Sequence, residues 1–178
     1  YRAALLRFNN TSDGAGEALY EPDGLLVTAP DDQGVQIVQA AGSWTALRGQ
    51  FGGLDVEHLP GRMIAPGFVD LHLHYPQTDI IGSPAPGLLP WLENYTFPEE
   101  ARFSDAAHSK ASASFFVDEL MRNGVTSALV FASSHTASVE ALFEAAKAQR
   151  MRLVTGLCLM DRHGPPGVLN ETEQSLAD

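Results

Sequence analysis

The chain has 178 residues, 44% of them hydrophobic, enough to bury a core in one domain or in a small domain plus part of a larger one. Acidic residues outnumber basic ones 22 to 11, and the formal net charge of -11 argues against nucleic-acid polymers and membrane surfaces as partners, because both are themselves anionic. No apolar stretch approaches the roughly 20 residues that span a bilayer, YRAALLRF lacks the apolar core of a secretory signal, and the single Cys158 fits a reducing cytoplasm.

Residues 1–63 read as a small, incomplete β-rich domain. Short strand-like pieces, ALLRF, GLLVTA and VQIVQA, sit among glycines, and the turn-forming PDDQG separates the last two. MIAPGFVDLHLH then brings an apolar run, a turn at Pro66-Gly67 and a strand, FVDLHLH. From here, over residues 64–178, helical patterns alternate with brief apolar runs.

FSDAAHSKASASFFVDELMRNG predicts a helix with Ser104 as N-cap, Phe115, Phe116 and Leu120 at helical spacing, and a stop at Asn123-Gly124. VTSALVFAS follows as a buried strand. TASVEALFEAAKAQR predicts a second helix with Val139, Leu142, Phe143 and Ala146 on one face, and MRLVTGLCLM a further strand. The order β, α, β, α, β defines an α/β fold of parallel strands joined by right-handed crossovers. The chain opens on Tyr1 rather than Met and stops in NETEQSLAD, which reads as a helix start, so a piece of a longer protein is expected.

Chemistry concentrates in FVDLHLH. Side chains alternate along a strand, so Asp70, His72 and His74 point one way and Val69, Leu71 and Leu73 the other. Two imidazoles two residues apart can converge on one metal ion, and a nearby carboxylate can orient a ligand's second ring nitrogen. The pair alone is equally well read as two part-buried histidines satisfied by hydrogen bonds, and a catalytic zinc normally takes three protein ligands.

The remaining candidates are weaker. Asp161 and Arg162 follow the third strand at its C-terminal end, where a surface ion pair is the plainer reading, and His135 reads as loop or helix-cap structure. His58, His108 and His163 read as surface residues, and Cys158 as an inert thiol within an apolar strand. Glu99 and Glu100 read as a solvated helix start near the positive end of the helix dipole.

The stretch APGFVDLHLHYPQTDIIGSPAPGLLPWLENYTFPEEARF resembles the amidohydrolase superfamily, through PGFVDLHLH, and within it the guanine deaminases, through HYPQT and LLPWLENYTFPEEARF. RNGVTSALVF and LMDR extend the likeness, which covers residues 61–178. The resemblance implies that residues 64–178 are the first units of a (β/α)8 TIM-type barrel, preceded by part of a small β-sandwich domain. It implies that His72 and His74 are metal ligands for one divalent ion, zinc with iron as the alternative, and that Gln77 and Trp91 bind the substrate. A solvated loop is the plain alternative for Gln77. For Trp91 it is a core role beside Leu88, Leu89 and Leu92.

The implied activity is hydrolytic deamination of guanine to xanthine and ammonia, in a cytoplasmic homodimer. The further ligands, two histidines and an aspartate, and the proton-shuttling glutamate are not assignable in these 178 residues, so the chain alone is expected to be inactive. Two other readings stay open. One is another deaminase or chlorohydrolase of the superfamily, acting on cytosine, an adenosine derivative or a triazine. The other is a non-catalytic scaffold with structural histidines.

Overall fold

A computed structural model describes residues 1–12, 14, 16–171 and 173. Most of the expected C-terminal helix start therefore lies outside the described residues. The chain divides into two compact units, Tyr1–Pro66 and Gly67–Asp178.

The first unit is built on one four-stranded sheet. Strands β1 (Arg2–Asn10), β2 (Gly16–Pro30), β3 (Gln36–Ser43) and β4 (His58–Ile64) lie in the order β3-β2-β1-β4. The meander β1-β2-β3 is antiparallel and β4 joins β1 in parallel. Ala3, Leu5, Leu25 and Val27 bury one face, as the alternation of apolar residues along β1 and β2 requires. The turn in PDDQG is held by Asp31, whose Oδ1 accepts from the Gln33 and Val35 amides at 2.9 and 2.8 Å, with Gly34 at φ +76°.

Sequence reading missed the helix α1 (Trp44–Phe51) in this unit. Its side chains are not deeply buried, so the apolar stripe that betrays a helix is absent. Trp44 is held by the Arg2 guanidinium, 4.5 Å from its ring centroid, which also pairs with Asp23 through two 2.7 Å bonds.

The second unit carries a three-stranded parallel sheet, order β5-β6-β7, made of β5 (Phe68–His74), β6 (Val125–Phe131) and β7 (Arg152–Gly156). A 3₁₀ turn (Tyr75–Ile80) follows β5. A helical segment comes next: α2 (Leu88–Trp91), a π turn (Leu92–Thr96), α3 (Phe97–Ala101) and a 3₁₀ turn (Arg102–Ser104). Helices α4 (Ala106–Arg122) and α5 (Thr136–Ala148) cross over before β6 and β7. Tyr75, Phe103, Val117, Val130 and Leu142, each at most 2% exposed, form the core between helices and sheet.

Several local expectations need correction. Asp105, not Ser104, caps α4: its Oδ1 accepts from the Ala107 and His108 amides at 2.7 and 3.3 Å, while Ser104 Oγ turns back to donate to the Ala101 carbonyl. Phe115 and Phe143, placed on buried helix faces by spacing, are about half exposed, at 54% and 47%. Strand β7 ends at Gly156, so Cys158 lies beyond it and Asp161 and Arg162 farther still. Helix α4 ends as expected at Asn123 and Gly124, whose φ of +81° needs glycine. The Gly124 carbonyl accepts from the Phe68 amide at 2.8 Å, which ties the helix end to the start of β5.

Candidate functional site

The site grows from the C-terminal ends of the parallel strands. His72 and His74 are the third-from-last and last residues of β5, and their rings lie on one face with centroids 5.2 Å apart, edge to face. Their floor is Phe131, the last residue of β6 and the register partner of His74. Its ring stacks on His74 at 4.6 Å with planes 14° apart and meets His72 edge-on at 5.5 Å. Phe131 went unnoticed in the sequence because its role depends on β5–β6 register. Its place at the end of VTSALVF was the only available signal.

The two histidines differ in environment. His72 is exposed, whereas burial, aided by the neighbouring His72, pushes the His74 pKa down. Neutral imidazole is therefore the favoured form of His74, which leaves a ring nitrogen with a free lone pair for a metal. Asp70 does not orient either ring. Its Oδ1 accepts from the His72 backbone amide at 3.1 Å, and no bond from it to an imidazole is present among the described residues. The described residues contain no cluster of three or more His, Cys, Asp or Glu side chains able to hold a metal.

Gln77 rides on the 3₁₀ turn that continues β5, and Tyr75 anchors that turn. Tyr75 is fully buried, donates from its hydroxyl to the Ser138 carbonyl at 2.8 Å, and meets Phe103 edge-on at 5.0 Å. The turn packs against α3, the helix that carries Glu99 and Glu100. Glu99 and Glu100 are 8% and 6% exposed, which overturns the solvated reading. Burial raises the Glu100 pKa, with the nearby Gln77 opposing that shift. Helix α3 is inserted between the 3₁₀ turns rather than projecting into water, a tertiary effect that PEEARF does not reveal.

His108 is likewise not a surface residue. It packs edge-on to Phe103 at 4.7 Å, with Nε2 3.2 Å from Glu99 Oε1. Glu99 Oε2 also accepts from Arg102 Nη1 at 2.7 Å. Trp91 and Leu92 are half-buried while Leu88 and Leu89 are exposed, so a shared core role for all four does not hold.

The other candidates fall outside this grouping. Asp161 and Arg162 form an exposed ion pair at 3.1 Å, and His58 and His163 are exposed. His135 precedes α5 with its Nε2 3.0 Å from the Gly167 carbonyl oxygen. Cys158 is half-buried, and burial together with the Glu100 charge pushes its thiol pKa up, away from nucleophilic chemistry. The first unit has a cleft of about 570 Å³ lined by β2 and the 51–57 segment, without a histidine pair.

The chain belongs to the amidohydrolase family, whose profile matches residues 63–178 and so takes in the strand that carries Asp70, His72 and His74. Among its relatives are guanine deaminases. The guanine deaminase of Escherichia coli K12 is 39% identical over 168 residues, covering 94% of this chain and 37% of that protein. The crystal structure of guanine deaminase from Bradyrhizobium japonicum superposes with a TM-score of 0.84 at 30% identity, over 97% of this chain and 37% of that one. The guanine deaminase of C. acetobutylicum, with guanine bound in its active site, gives 0.79 at 28% identity over 99% of this chain and 40% of that one. The chain thus spans well under half the length of these relatives.

Proposed function

We propose that this chain is the N-terminal part of a guanine deaminase, a hydrolase that takes guanine and water to xanthine and ammonia. The observation that carries the reading is the paired presentation of His72 and His74 on one face at the end of β5, with Gln77 on the turn that continues the strand. Relatives that deaminate guanine support the choice of substrate. In this reading β5, β6 and β7 with α4 and α5 are the first units of a (β/α)8 barrel, and the Arg2–Ile64 sheet is part of a small β-sandwich domain.

The donor set suits zinc: two imidazoles on one face, with the neutral form of His74 favoured. Bound there, zinc would supply a Lewis acid that makes water a nucleophile near neutral pH. The chain's own residues do the rest of what is assignable. His72 and His74 would hold the ion, and Phe131 fixes the His74 ring plane and keeps water off one side of it. Gln77 offers both a hydrogen-bond donor and an acceptor to a purine edge, and Trp91 flanks the ring. No residue of this chain is assigned as the proton-shuttling acid. By family likeness the protein is a cytoplasmic homodimer.

The test is a substrate panel on the full-length protein, with ammonia release measured from guanine, cytosine, adenosine and an aminotriazine. Turnover of guanine well above the others is the expected result. Preference for any of the others would overturn the choice of substrate.

A further inference from the structure

Three segments leave the C-terminal ends of the parallel strands, and side chains tie them together. The segment after β7 folds back on itself: the Asn170 backbone amide donates to the Met160 carbonyl at 2.8 Å, and Asn170 Oδ1 accepts from the Met160 amide at 3.4 Å. Between these ends the loop is filled by its own side chains. Val168 is fully buried, and a Cβ added at Gly164 would stand 2.7 Å from the Met160 sulfur. Asn170 also reaches out of the loop, its Nδ2 donating to the Ser134 carbonyl at 2.8 Å in the segment after β6. His135 adds a second tie. Its Nε2 is 3.0 Å from the Gly167 oxygen, and since a carbonyl only accepts, that nitrogen carries the proton.

From this latch two routes lead to the turn that carries Gln77. On one side Gly167 lies against the end of α3, where an added Cβ would meet Ala101 Cβ at 3.1 Å, and α3 packs on the Tyr75–Ile80 turn. On the other, the Ser138 hydroxyl donates to the His135 carbonyl at 2.7 Å and accepts from the Ser133 amide at 3.1 Å, while the Ser138 carbonyl accepts from the Tyr75 hydroxyl at 2.8 Å. We propose that Asn170 is a positioning residue for Gln77: by latching the loop after β7 to the segment after β6, it closes a ring of contacts that grips the Gln77 turn from both sides. An amide suits the position because it offers an acceptor to its own loop and a donor to the neighbouring segment at once. A carboxylate there would keep the acceptor, lose the donor and set a charged oxygen against the Ser134 carbonyl. The inference rests on the guanine reading and deepens it, because it makes ligand binding depend on a side chain that acts through the turn.

The experiment uses the full-length protein and reads the latch and the ligand site separately. Arg162 is exposed in the latched loop, so limited trypsin digestion, followed by mass spectrometry of the cut after Arg162, reports how often the loop opens. Asn170→Asp is expected to speed that cut about tenfold. In the same variant KM for guanine should rise about threefold to tenfold with kcat within about threefold. In a Gln77→Ala background Asn170→Asp should change KM by less than about twofold, because the latch acts on KM only through Gln77. If Asn170→Asp does not fold, His135→Ala opens the same link from an exposed side chain and carries the cycle with smaller changes. An unchanged cut would overturn the latch. A faster cut with KM unchanged, or KM penalties that multiply with Gln77→Ala, would overturn the positioning role while leaving the deaminase reading intact. A wild-type protein that releases no ammonia from guanine would overturn that reading and this role with it.

Discussion

Gly67 in the PGFVDLHLH turn is expected to be intolerant of even one methyl group, for a reason visible in β6. A Cβ at Gly67 would stand 2.7 Å from Thr126 Cβ and closer still to Thr126 Oγ1 and Cγ2. Rotation of the threonine side chain moves the last two atoms but not its Cβ, so relief requires the start of β5 to move about 1 Å away from β6 to reach ordinary carbon–carbon contact. The ladder pairs Phe68 with Val125 and Val69 with Ser127, so Thr126 is the extra residue of a bulge, and the pairs on either side of it resist that opening. Overpacking of this kind costs about 1–3 kcal/mol, and the backbone-fixed contact puts Gly67→Ala in the upper half of that range.

Urea denaturation of the full-length protein, at constant m, measures the loss. Thr126→Ala removes Oγ1 and Cγ2 yet leaves Cβ, so it should recover only part of the loss, and Thr126→Gly should recover more once its own cost is subtracted. A loss under about 0.5 kcal/mol for Gly67→Ala, or full recovery in the Thr126→Ala background, would refute the close-packing argument.

Tyr75→Phe removes the hydroxyl that ties the 3₁₀ turn to α5. The Ser138 carbonyl keeps its intrahelical bond, so the expected cost is about 1 kcal/mol, read in the same denaturation assay, and a loss above about 3 kcal/mol would mean a larger network. Burial holds the Glu100 pKa above its ordinary 4.5, so the folded state binds that proton more tightly than the unfolded state does. Stability from this group is present below pH 4.5 and is lost as pH rises through the raised value. Glu100→Gln should therefore be at least as stable as wild type at pH 7 and should lose less stability between pH 4.5 and 7; a steeper loss would contradict the burial argument. Residues 1–178 alone should release no ammonia from guanine, because on the proposed reading they would supply only two of the three protein ligands a catalytic zinc usually takes, and robust release would contradict this.

The strands and long helices of the second unit were legible because each carries a strong local signal. FVDLHLH alternates, VTSALVF is a compact apolar run, and the 106–122 helix has a Gly124 stop. The His72 and His74 pairing followed from strand period alone. What escaped was whatever tertiary contact decides. Glu100 looked solvated because its burial comes from a helix folded against the turn after β5. Phe131 is a site residue only through its register with His74, and α1 carries no buried stripe to announce it. The cap fell on Asp105 rather than Ser104 because both residue types cap well and only the backbone path at 105 is extended.

The most direct test of the account is zinc content and guanine-dependent ammonia release in full-length protein, compared between wild type and the His72→Ala/His74→Ala double variant. The account predicts that about one equivalent of zinc and the activity are lost together while the cooperative unfolding transition remains. Unchanged zinc and unchanged ammonia release in the double variant would mean that the two histidines on β5 are structural, and would contradict the metal-hydrolase reading of this chain.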